Sequence, residues 1–363
     1  MKICITMGDP AGVGAEILIR LLDKYSPKKF PELVIAGDEG VLELAGEKFG
    51  GKNAQNWLKQ ALRLSQIEQA KELLIGIGGA ESNFAIAFAR LGGKAAWISK
   101  LTDNPLGRFI VNKIREHGVD VSHVIWTDKH RVGLYFVEFG KKPRPTLIIY
   151  DRKDSAIANI DPYEVDWGIL KNYDAFHTTG ITVALSENCK KAVEIGISKA
   201  KEFGTKVSFD VNYRSKLWSP EEAFKALDPI LRNVDILLVT KDDVKNVLKV
   251  QGTYEEMITK LDEKYNPEVV VLTLGSEGAM ALKDGKIYRA EPYELEVVDR
   301  IGAGDAFDAG FMYEYLRTGD VERALNLGVA MAAFAHTIPG DIVFITEEEV
   351  ELLRKQRDRD VVR

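Results

Sequence analysis

Residues 298–311 read VDRIGAGDAFDAGF, and this stretch decides the predicted fold. An apolar approach ends in Gly302, Ala303 and Gly304, a carboxylate follows at Asp305, and a long helical pattern then begins. Amides of small residues at a helix N-terminus are unpaired donors, and with the helix dipole they favour a bound anion. Asp305 directly follows these amides and is the carboxylate best placed to accept a proton. The stretch therefore has the layout needed to move a phosphoryl group onto a hydroxyl.

A plainer interpretation of the same stretch is a strand, a glycine turn and a helix whose N-cap is Asp305. Short glycine motifs occur often by chance, so Gly-x-Gly-Asp alone does not decide between the two interpretations. The longer string is more specific, and the functional interpretation rests on it.

The composition limits the class of protein. The chain has 363 residues, a net charge of -6 and no evident basic patch, so nucleic acid is not an expected partner. Its two cysteines, Cys4 and Cys189, cannot form a disulfide framework and do not match a zinc-ligand pattern. No apolar run is long enough to span a bilayer, and the first residues lack the regions of a signal peptide. A cytoplasmic protein without a membrane partner is the expectation.

Short apolar runs alternate with amphipathic stretches along most of the chain. This rhythm predicts an α/β fold, a doubly wound sheet with helices on both faces. The predicted strands include residues 95–98, 207–209, 236–239 and 269–272. The predicted helices cover residues 106–117, 303–317, 321–336 and 346–355, and two more begin near residues 220 and 241.

A hairpin is predicted from two paired strand patterns, at residues 132–139 and 146–150. Pro143 and Pro145 lie in their connection, which places the hairpin at a sheet edge.

The first 75 residues follow a different pattern. They predict strands at 2–7 and 33–36, a glycine turn at 8–14, and helices at 15–25 and 53–74. The turn could bind a phosphate or be a tight strand-to-helix connection, and its residue types favour the connection. Residues 46–53 nearly match a P-loop, but Asn53 stands where Ser or Thr should reach magnesium, and no strand precedes the motif, so we reject it.

Polar residues follow several predicted strands, at the edge of an α/β sheet where ligands bind. Arg152 and Arg214 each follow a strand pattern, and a guanidinium suits a carboxylate through two parallel hydrogen bonds. Two surface ion pairs are the alternative. Together, the arginines favour an anionic substrate.

Three further segments have both a functional and a purely structural interpretation. Residues 78–83 are either a loop and helix cap or a close backbone approach to a ligand, with Asn83 as donor and acceptor. The turn at 274–278 is either a simple β-turn or a nucleotide wall. Residues 240–243 are either an acidic helix start or a site that holds magnesium through water.

The stretch quoted first resembles the signature of the PfkB (ribokinase-like) carbohydrate kinases, usually Asp-Thr-x-Gly-Ala-Gly-Asp-x-Phe. Asp299, the three small residues, Asp305 and Phe307 match it, and Arg300 stands where Thr is usual. From about Gly78 onward, further segments are similar to the 2-keto-3-deoxygluconate kinases of this family. These segments are residues 78–83, 103–107, 133–136, 150–152, 180–182, 212–218 and 336–341.

The resemblance implies ATP and magnesium as cofactors, a sugar acid as substrate, and phosphorylation of its C6 hydroxyl. Asp305 would be the base and the amides of residues 302–304 the anion hole. The substrate-binding residues that the resemblance implies are Gly78, Gly79, Asn83, Tyr135, Tyr150, Arg152, Arg214 and Asp341. The nucleotide-binding residues are Asn212, Thr273, Gly275, Gly278, Gly302 and Gly304. Asp243 would hold the metal, although Thr240 stands where the family has asparagine.

The start of the chain departs from this family. We therefore predict two parts of the chain, an atypical segment, 1–75, and a kinase domain, 76–363. The usual β lid strands are not recognisable there. Residues 1–50 instead resemble the N-terminus of 4-hydroxythreonine-4-phosphate dehydrogenase, which carries Gly-Asp-Pro-Ala-Gly-x-Gly before a helix. Relatives often pair through their lids, so a homo-oligomer is left open.

Four functions therefore remain as alternatives. The first is a sugar-acid kinase, and the second is a kinase fold with weak turnover because water enters a site without its lid. The third is a PfkB kinase for another sugar, and the fourth is the dehydrogenase. Scattered histidines without metal spacing argue against the dehydrogenase.

Overall fold

The computed structural model describes residues 3–6, 33–36, 67, 70, 73–139 and 146–357. The predicted glycine turn at 8–14, the helix at 15–25, the P-loop-like stretch at 46–53 and most of the helix at 53–74 lie outside these residues. The chain divides into two compact units, one of residues 1–75 with 136–149 and the other of residues 76–135 with 150–363. No helix in the described ranges combines the length and apolarity that crossing a bilayer requires.

The first unit contains a pair of parallel strands near the start of the chain. Strand β1 (Ile3–Thr6) pairs in parallel with β2 (Leu33–Ala36), which confirms both predicted strands. The end of the predicted helix at 53–74 is wrong, because residues 73 and 74 belong to no helix. The predicted pairing of two strands is confirmed: β5 (Leu134–Glu138) and β6 (Leu147–Asp151) pair with each other. They form a two-stranded sheet of their own, so the predicted place at the edge of a larger sheet is wrong, and their connection at residues 140–145 lies outside the described residues.

The second unit is built on a six-stranded mixed sheet. Four strands run parallel, followed by two antiparallel strands at one edge, in the order β12-β11-β10-β9-β8-β7. The strands are β7 (Ala175–Thr179), β8 (Lys206–Asp210), β9 (Ile236–Thr240), β10 (Val269–Thr273), β11 (Ala279–Lys283) and β12 (Lys286–Ala290).

Helices alternate with these strands along the chain. They are α1 (Ala80–Arg90), α2 (Pro105–Arg115), α3 (Gly180–Leu185), α4 (Glu187–Phe203), α5 (Pro220–Leu231), α6 (Lys241–Asn246), α7 (Tyr254–Tyr265), α8 (Ala303–Thr318), α9 (Val321–Ala335) and α10 (Glu347–Arg357). Helix α5 shows why such segments form: Ser219 and Glu222 make a reciprocal capping box, and Pro220 occupies the first helical position.

Both faces of the sheet are buried, because alternate residues of a strand point to opposite sides. In β9, Leu237 and Val239 pack in the core that α4, α5 and α7 cover. Ile236 and Leu238 pack in the core that α8 and α9 cover. Such continuous apolar strands are typical of parallel sheets covered on both faces. The predicted layering, with helices on both faces, is confirmed.

A second parallel pair, β3 (Ser99–Thr102) and β4 (Val124–Thr127), corrects one predicted strand. The sequence placed a strand at 95–98, but there Ala96 forms only an isolated bridge with Asp120. The regular ladder begins with the pairing of Ser99 and Val124. The pairing with β4 therefore determines where β3 begins. The local apolar run at 95–98 contains no information about that pairing.

Candidate active site

The start of α8 forms an open helix N-terminus. Its N-cap residue is Gly302, with φ 76°, and no side chain caps the helix. Asp305 is the third helical residue, so the interpretation that made it the N-cap is wrong. A Cβ on Gly302 would overlap the carbonyl oxygen of Asp341, whereas a Cβ on Gly304 would meet no atom within 4 Å. A helix N-terminus without a side-chain cap, with open space beside Gly304, fits a bound phosphate.

Asp299 fixes the loop that leads into this helix. One carboxylate oxygen accepts hydrogen bonds from the amides of Arg300, at 2.6 Å, and Ile301, at 3.0 Å. The other accepts from the amide of Gly340 at 2.9 Å. Asp299 thus ties the loop before α8 to the loop that carries Asp341. The family signature includes Asp299, but the sequence did not reveal this role.

Asp305 is buried and held in place by Asn83. Nδ2 of Asn83 donates to Oδ2 of Asp305 at 2.8 Å. Burial raises the pKa of Asp305 to about 8, against a lowering by the Asn83 hydrogen bond, and the charge of Asp210 raises it further. A carboxylate with a pKa near neutrality is matched to accepting a proton from a hydroxyl.

Asn83 reaches the site from the first turn of α1. Gly79 caps this helix with φ 149°, and the amide of Asn83 donates to the carbonyl oxygen of Gly79 at 2.8 Å. Oδ1 of Asn83 is buried and has no hydrogen-bond partner among the described residues. A buried unpaired acceptor is costly unless a ligand donates to it. The structure thus brings Asn83, which the sequence predicts to bind substrate, into contact with Asp305.

Tyr135 and Asp341 form a second hydrogen-bonded pair, in which the tyrosine hydroxyl donates to Oδ2 of Asp341 at 2.6 Å. Burial is the main cause that raises the pKa values of both groups. A Cβ on Gly78 would overlap both side chains, so only glycine fits there. The rings of Tyr135 and Tyr150 lie 6.1 Å apart. These predicted substrate residues therefore come together.

Arg152 lies over the ring of Tyr150, with 4.1 Å from its Cζ atom to the ring centroid. Nε and Nη2 of Arg152 are buried and without a hydrogen-bond partner in the described part of the chain. Burial lowers the pKa of Arg152. Nearby Arg131 contrasts with it, because its Nη1 pairs with Oδ1 of Asp151 at 2.7 Å in an exposed ion pair. Two unsatisfied donors of one guanidinium suit a carboxylate.

Arg214 belongs to the same neighbourhood but is exposed. Its Nη1 donates to the carbonyl oxygen of Tyr213 at 3.4 Å. Burial raises the pKa values of Asp305 and Asp243, and the positive charge of Arg214 opposes this rise. The same charge adds to the effect of burial in lowering the pKa of Arg152. Arg214 therefore lies within electrostatic reach of both Asp305 and Arg152.

Asp243 lies at the start of α6, next to the end of strand β9. Thr240 caps this helix by accepting from the amide of Asp243 at 3.1 Å, and Oδ2 of Asp243 accepts from the amide of Tyr213 at 3.4 Å. Burial raises the pKa of Asp243 to about 6. The described residues contain no cluster of three or more metal-ligating side chains. One buried carboxylate fits magnesium held through water better than direct ligation.

The predicted nucleotide turn after β10 is ordered by its own backbone. The amide of Leu274 donates to the carbonyl oxygen of Gly278 at 2.9 Å. Gly275 and Gly278 have φ values of 67° and 84°, which favour glycine. Thr273 is the last residue of the strand, and an ion pair between Lys241 and Glu277 joins the turn to α6. Asn212 follows β8, with its amide bonded to Oδ1 of Asp210 at 3.1 Å.

Sequence analysis missed three other acidic side chains near Asp305. Oε1 of Glu81 accepts from the Thr182 hydroxyl at 2.6 Å and from the backbone amide and hydroxyl of Thr179. Asp210 and Asp308 are buried. The only signal in the sequence for Asp308 is its position one helical turn after Asp305.

Comparison with known proteins identifies the family. The pattern of the pfkB family carbohydrate kinases matches residues 48–359. The chain belongs to this family. The match begins upstream of Gly78, where the sequence resemblance was first recognisable. It is therefore a carbohydrate kinase, as the stretch at 298–311 predicted.

Two curated relatives act on closely related sugar acids. A 2-dehydro-3-deoxygalactonokinase from Haloferax volcanii is 41% identical over 82% of this chain and 93% of its own length. A 2-dehydro-3-deoxygluconokinase from Thermoproteus tenax is 36% identical over 73% of this chain and 81% of its own length.

Solved structures of this kinase family share the fold. The 2-dehydro-3-deoxygluconokinase of Thermotoga maritima superposes with a TM-score of 0.76 and 33% identity, over 80% of this kinase and 92% of that chain. A protein described as a ribokinase II from E. coli, crystallised with ATP and Mg²⁺, gives a TM-score of 0.72 and 26% identity, over 80% of this kinase and 94% of that chain. The ribokinase-like fold is confirmed.

Proposed function

We propose that this kinase transfers the γ-phosphoryl group of ATP to the C6 hydroxyl of 2-keto-3-deoxygluconate, also called 2-dehydro-3-deoxygluconate. The observation that carries the proposal is Arg152, a half-buried side chain whose Nε and Nη2 atoms are buried and have no hydrogen-bond partner among the described residues. A buried charge without a partner is destabilising unless a ligand neutralises it. The carboxylate of a sugar acid supplies this partner, and a neutral sugar does not.

The relatives support an acid of this chemical class. Both curated relatives carry names of kinases for 2-dehydro-3-deoxy sugar acids, and so does the Thermotoga maritima structure. Tyr135, Tyr150 and Arg214 complete the acid-binding side of the proposed pocket. Asn83 and Asp341 face the hydroxyl-bearing side, where buried donors and acceptors suit a sugar.

The proposed reaction needs one base and one anion hole. Asp305 accepts the proton of the C6 hydroxyl while the hydroxyl oxygen bonds to the γ-phosphorus. The bond between the γ-phosphorus and the bridging oxygen breaks, and that oxygen leaves with ADP. The amides of residues 302–304 stabilise negative charge on the transferred group. The turn at 275–278, Thr273 and Asn212 position the nucleotide. Magnesium, held through water by Asp243, would neutralise phosphate charge.

A coupled ADP-release assay over a panel of sugar acids and neutral sugars tests this function. We expect turnover with 2-keto-3-deoxygluconate and a kcat/KM for neutral sugars lower by at least about tenfold, since a hydrogen bond to a charged group contributes about 1.5–3 kcal/mol. Preference for a neutral sugar would contradict the proposal. ATP hydrolysis without sugar phosphorylation would favour the weak-turnover alternative, and NAD reduction would favour the dehydrogenase.

The galactonate acid is a second candidate substrate. It is favoured by the 2-dehydro-3-deoxygalactonokinase from Haloferax volcanii, which shares 41% identity over 82% of this chain. The same assay with both acids, each varied in concentration, ranks them by kcat/KM. A higher value for the galactonate acid would replace the gluconate acid as the principal substrate.

A further inference from the structure

The carboxylate of Glu81 joins two parts of the kinase fold close to the proposed base. Glu81 is the second residue of α1, and its Oε1 accepts from the amide of Thr179 at 3.1 Å and from the Thr179 hydroxyl at 2.9 Å. The hydroxyl of Thr182 donates to the same oxygen at 2.6 Å. Thr179 ends strand β7 and caps α3, the helix that contains Thr182. One oxygen atom therefore attaches the first turn of α1 to the junction between β7 and α3.

The hydroxyl of Thr179 is oriented toward Glu81 by its role as a helix cap. Its oxygen accepts from the amide of Ile181 at 3.2 Å, and its single proton remains for the carboxylate. Hydrogen bonds to a carboxylate are stronger than those between neutral groups. Three of them on one oxygen fix the place of Glu81 relative to β7.

The same turn of α1 carries Asn83 to the base. Asn83 is 5% exposed, and its Nδ2 donates to Oδ2 of Asp305 at 2.8 Å. The next residue, Phe84, stacks on the ring of His177 in β7, with 3.8 Å between the ring centroids. In the sequence, the attachments of Glu81 and Phe84 to β7 therefore flank Asn83.

The hydrogen bond from Asn83 has two consequences for Asp305. It fixes the orientation of the carboxyl group, because the donor holds one of its two oxygen atoms. It also lowers the pKa of Asp305 against the effect of burial, so that more of the protein has an ionised base near neutral pH. General base catalysis needs a carboxylate that is both oriented and ionised.

We propose that Glu81 is a positioning residue for the proposed reaction: through the first turn of α1, it holds Asn83 where its amide group orients Asp305. The inference rests on the proposed function, because it concerns the base of that reaction. A role of Glu81 in stability alone is the alternative. The two roles differ in whether the loss of a hydrogen bond to Glu81 changes the properties of Asp305.

Thr182→Val removes one hydrogen bond to Glu81 and leaves the shape and the charges of the region unchanged. We expect kcat to fall by roughly 5- to 50-fold, because a small displacement of a catalytic group is costly. The KM for ATP should stay within about twofold, since the nucleotide contacts remain. Thr182→Ser keeps the hydroxyl and should restore most of kcat.

Thr205→Val is the matched control. Thr205 is 5% exposed and its hydroxyl donates to the carbonyl oxygen of Leu170 at 2.7 Å, at the opposite end of β8 from Asp210. Urea unfolding should show a similar loss of stability for Thr205→Val and Thr182→Val, and only Thr182→Val should lose kcat. An equal loss of kcat in both variants would show that Glu81 contributes stability alone.

A double-mutant cycle with Asn83→Ala tests whether Glu81 acts through Asn83. Once the amide of Asn83 is absent, the attachment of α1 has nothing left to position. We therefore expect Asn83→Ala and the double variant Asn83→Ala/Thr182→Val to have kcat values within about twofold of each other. Losses that multiply in the double variant would contradict the proposal.

The pKa of Asp305 in the free protein gives a readout that needs no substrate. NMR titration of its side-chain carboxyl carbon measures this pKa. In Thr182→Val the bond from Asn83 is weakened, so we expect the pKa to rise by on the order of half a unit. The acidic limb of the kcat/KM profile should move to higher pH with it. An unmoved pKa in folded Thr182→Val would contradict the proposal.

Glu81→Gln separates the hydrogen bonds from the charge, and it decides the question should Thr182→Val not fold. The amide oxygen of glutamine accepts the same three bonds. The negative charge of Glu81 raises the pKa of Asp305, so its removal should lower that pKa. We expect kcat to stay within about threefold of wild type. A loss of kcat as large as that of Glu81→Ala would contradict an attachment made by these hydrogen bonds.

The titration also separates this inference from the proposed function. Neither Thr182→Val nor Glu81→Gln changes the other charged groups that interact with Asp305, which are Asp210, Asp308 and Arg214. Wild-type protein that phosphorylates no sugar acid would remove the function, while a raised pKa of Asp305 in Thr182→Val would still support the positioning. An unmoved pKa would remove the positioning, even if the kinase phosphorylates 2-keto-3-deoxygluconate.

Discussion

At the scale of single residues, a buried acid and a half-buried arginine define the candidate site. Asp305 is buried with a raised pKa, so the free protein disfavours its ionised form. Arg152 is half-buried with a lowered pKa, and its buried Nε and Nη2 atoms have no hydrogen-bond partner among the described residues. Each side chain is poorly satisfied in the protein by itself, which is typical of groups whose partner is a substrate.

We predict that Asp305→Asn lowers turnover by a factor on the order of 10²–10⁴, because the amide cannot accept the hydroxyl proton. The affinity for ATP should change little, since the amides of the helix N-terminus remain. Steady-state kinetics and calorimetric titration with a non-hydrolysable ATP analogue measure the two quantities. Undiminished turnover in a folded variant would show that another group is the base.

We predict that Arg152→Met has opposite effects on stability and on substrate binding. Removal of a half-buried charge whose buried Nε and Nη2 have no hydrogen-bond partner should raise the free energy of unfolding of the free protein. The KM for the sugar acid should rise by roughly 10- to 100-fold, because charged hydrogen bonds are lost. Urea unfolding and steady-state kinetics measure both. The exposed Arg131→Met is the matched control, and an equal rise of KM in both variants would contradict the role of Arg152.

Which residues could be predicted from sequence depends on whether their constraint is local. Gly302, Gly304 and Asp305 are constrained by one helix N-terminus, so their spacing predicts them. Asp210 and Asp308 are almost 100 positions apart in the sequence, and both act electrostatically on Asp305 only in the folded chain. No sequence spacing reports that arrangement, and sequence analysis therefore missed both residues.

At the scale of elements, the start of α8 combines a glycine required by the fold with a glycine required by the proposed ligand. Gly302 has a left-handed backbone and no space for a Cβ. Gly304 lies two residues later, and a Cβ there would meet no atom within 4 Å. The fold therefore requires glycine at position 302, and the proposed ligand requires it at position 304.

We predict that Gly302→Ala and Gly304→Ala both lower activity, but that only Gly302→Ala lowers stability. Gly302→Ala should lower the free energy of unfolding by about 1–3 kcal/mol, because a left-handed backbone and an overlap with Asp341 both disfavour a Cβ. Gly304→Ala should keep its stability within about 0.5 kcal/mol. It should nevertheless raise the KM for ATP, because the methyl group occupies the phosphate space. Equal stability of the two variants, or normal ATP kinetics of Gly304→Ala, would contradict this assignment.

The elements themselves were predicted best where caps and periodicity agree. Helices α2, α8, α9 and α10 lie within a few residues of their predicted bounds. Strand β3 was misplaced because the apolar run at 95–98 precedes the residues that pair with β4. Pairing between distant strands decides a strand boundary, and a local apolar pattern does not contain that information.

At the scale of the whole molecule, the buried acids make stability depend on pH. The folded pKa values of Asp305, Asp210 and Asp243 are raised to about 8, 7 and 6 from a usual value of 3.8. A raised folded pKa means that the folded protein binds a proton more tightly than the unfolded chain. The resulting stability is fully present below about pH 4 and is lost as the pH rises through these folded values.

We predict that the free energy of unfolding falls between about pH 5 and pH 8, by at least on the order of 1 kcal/mol per pH unit. Asp305→Asn should be stabilised relative to wild type at about pH 8 and much less so at about pH 5, because its side chain does not ionise. Urea unfolding at several pH values measures this difference. A stability that rises toward pH 8 would contradict the buried, protonated acids.

The central claim is that Asp305 activates a hydroxyl of a sugar acid for attack on ATP. Its most direct test is a coupled ADP-release assay with 2-keto-3-deoxygluconate, comparing wild type with Asp305→Asn. We predict sugar-dependent ADP release by wild type and a loss of roughly 10²–10⁴-fold in the variant. Equal rates in the two proteins, or no sugar-dependent release by wild type with any sugar acid, would contradict the account.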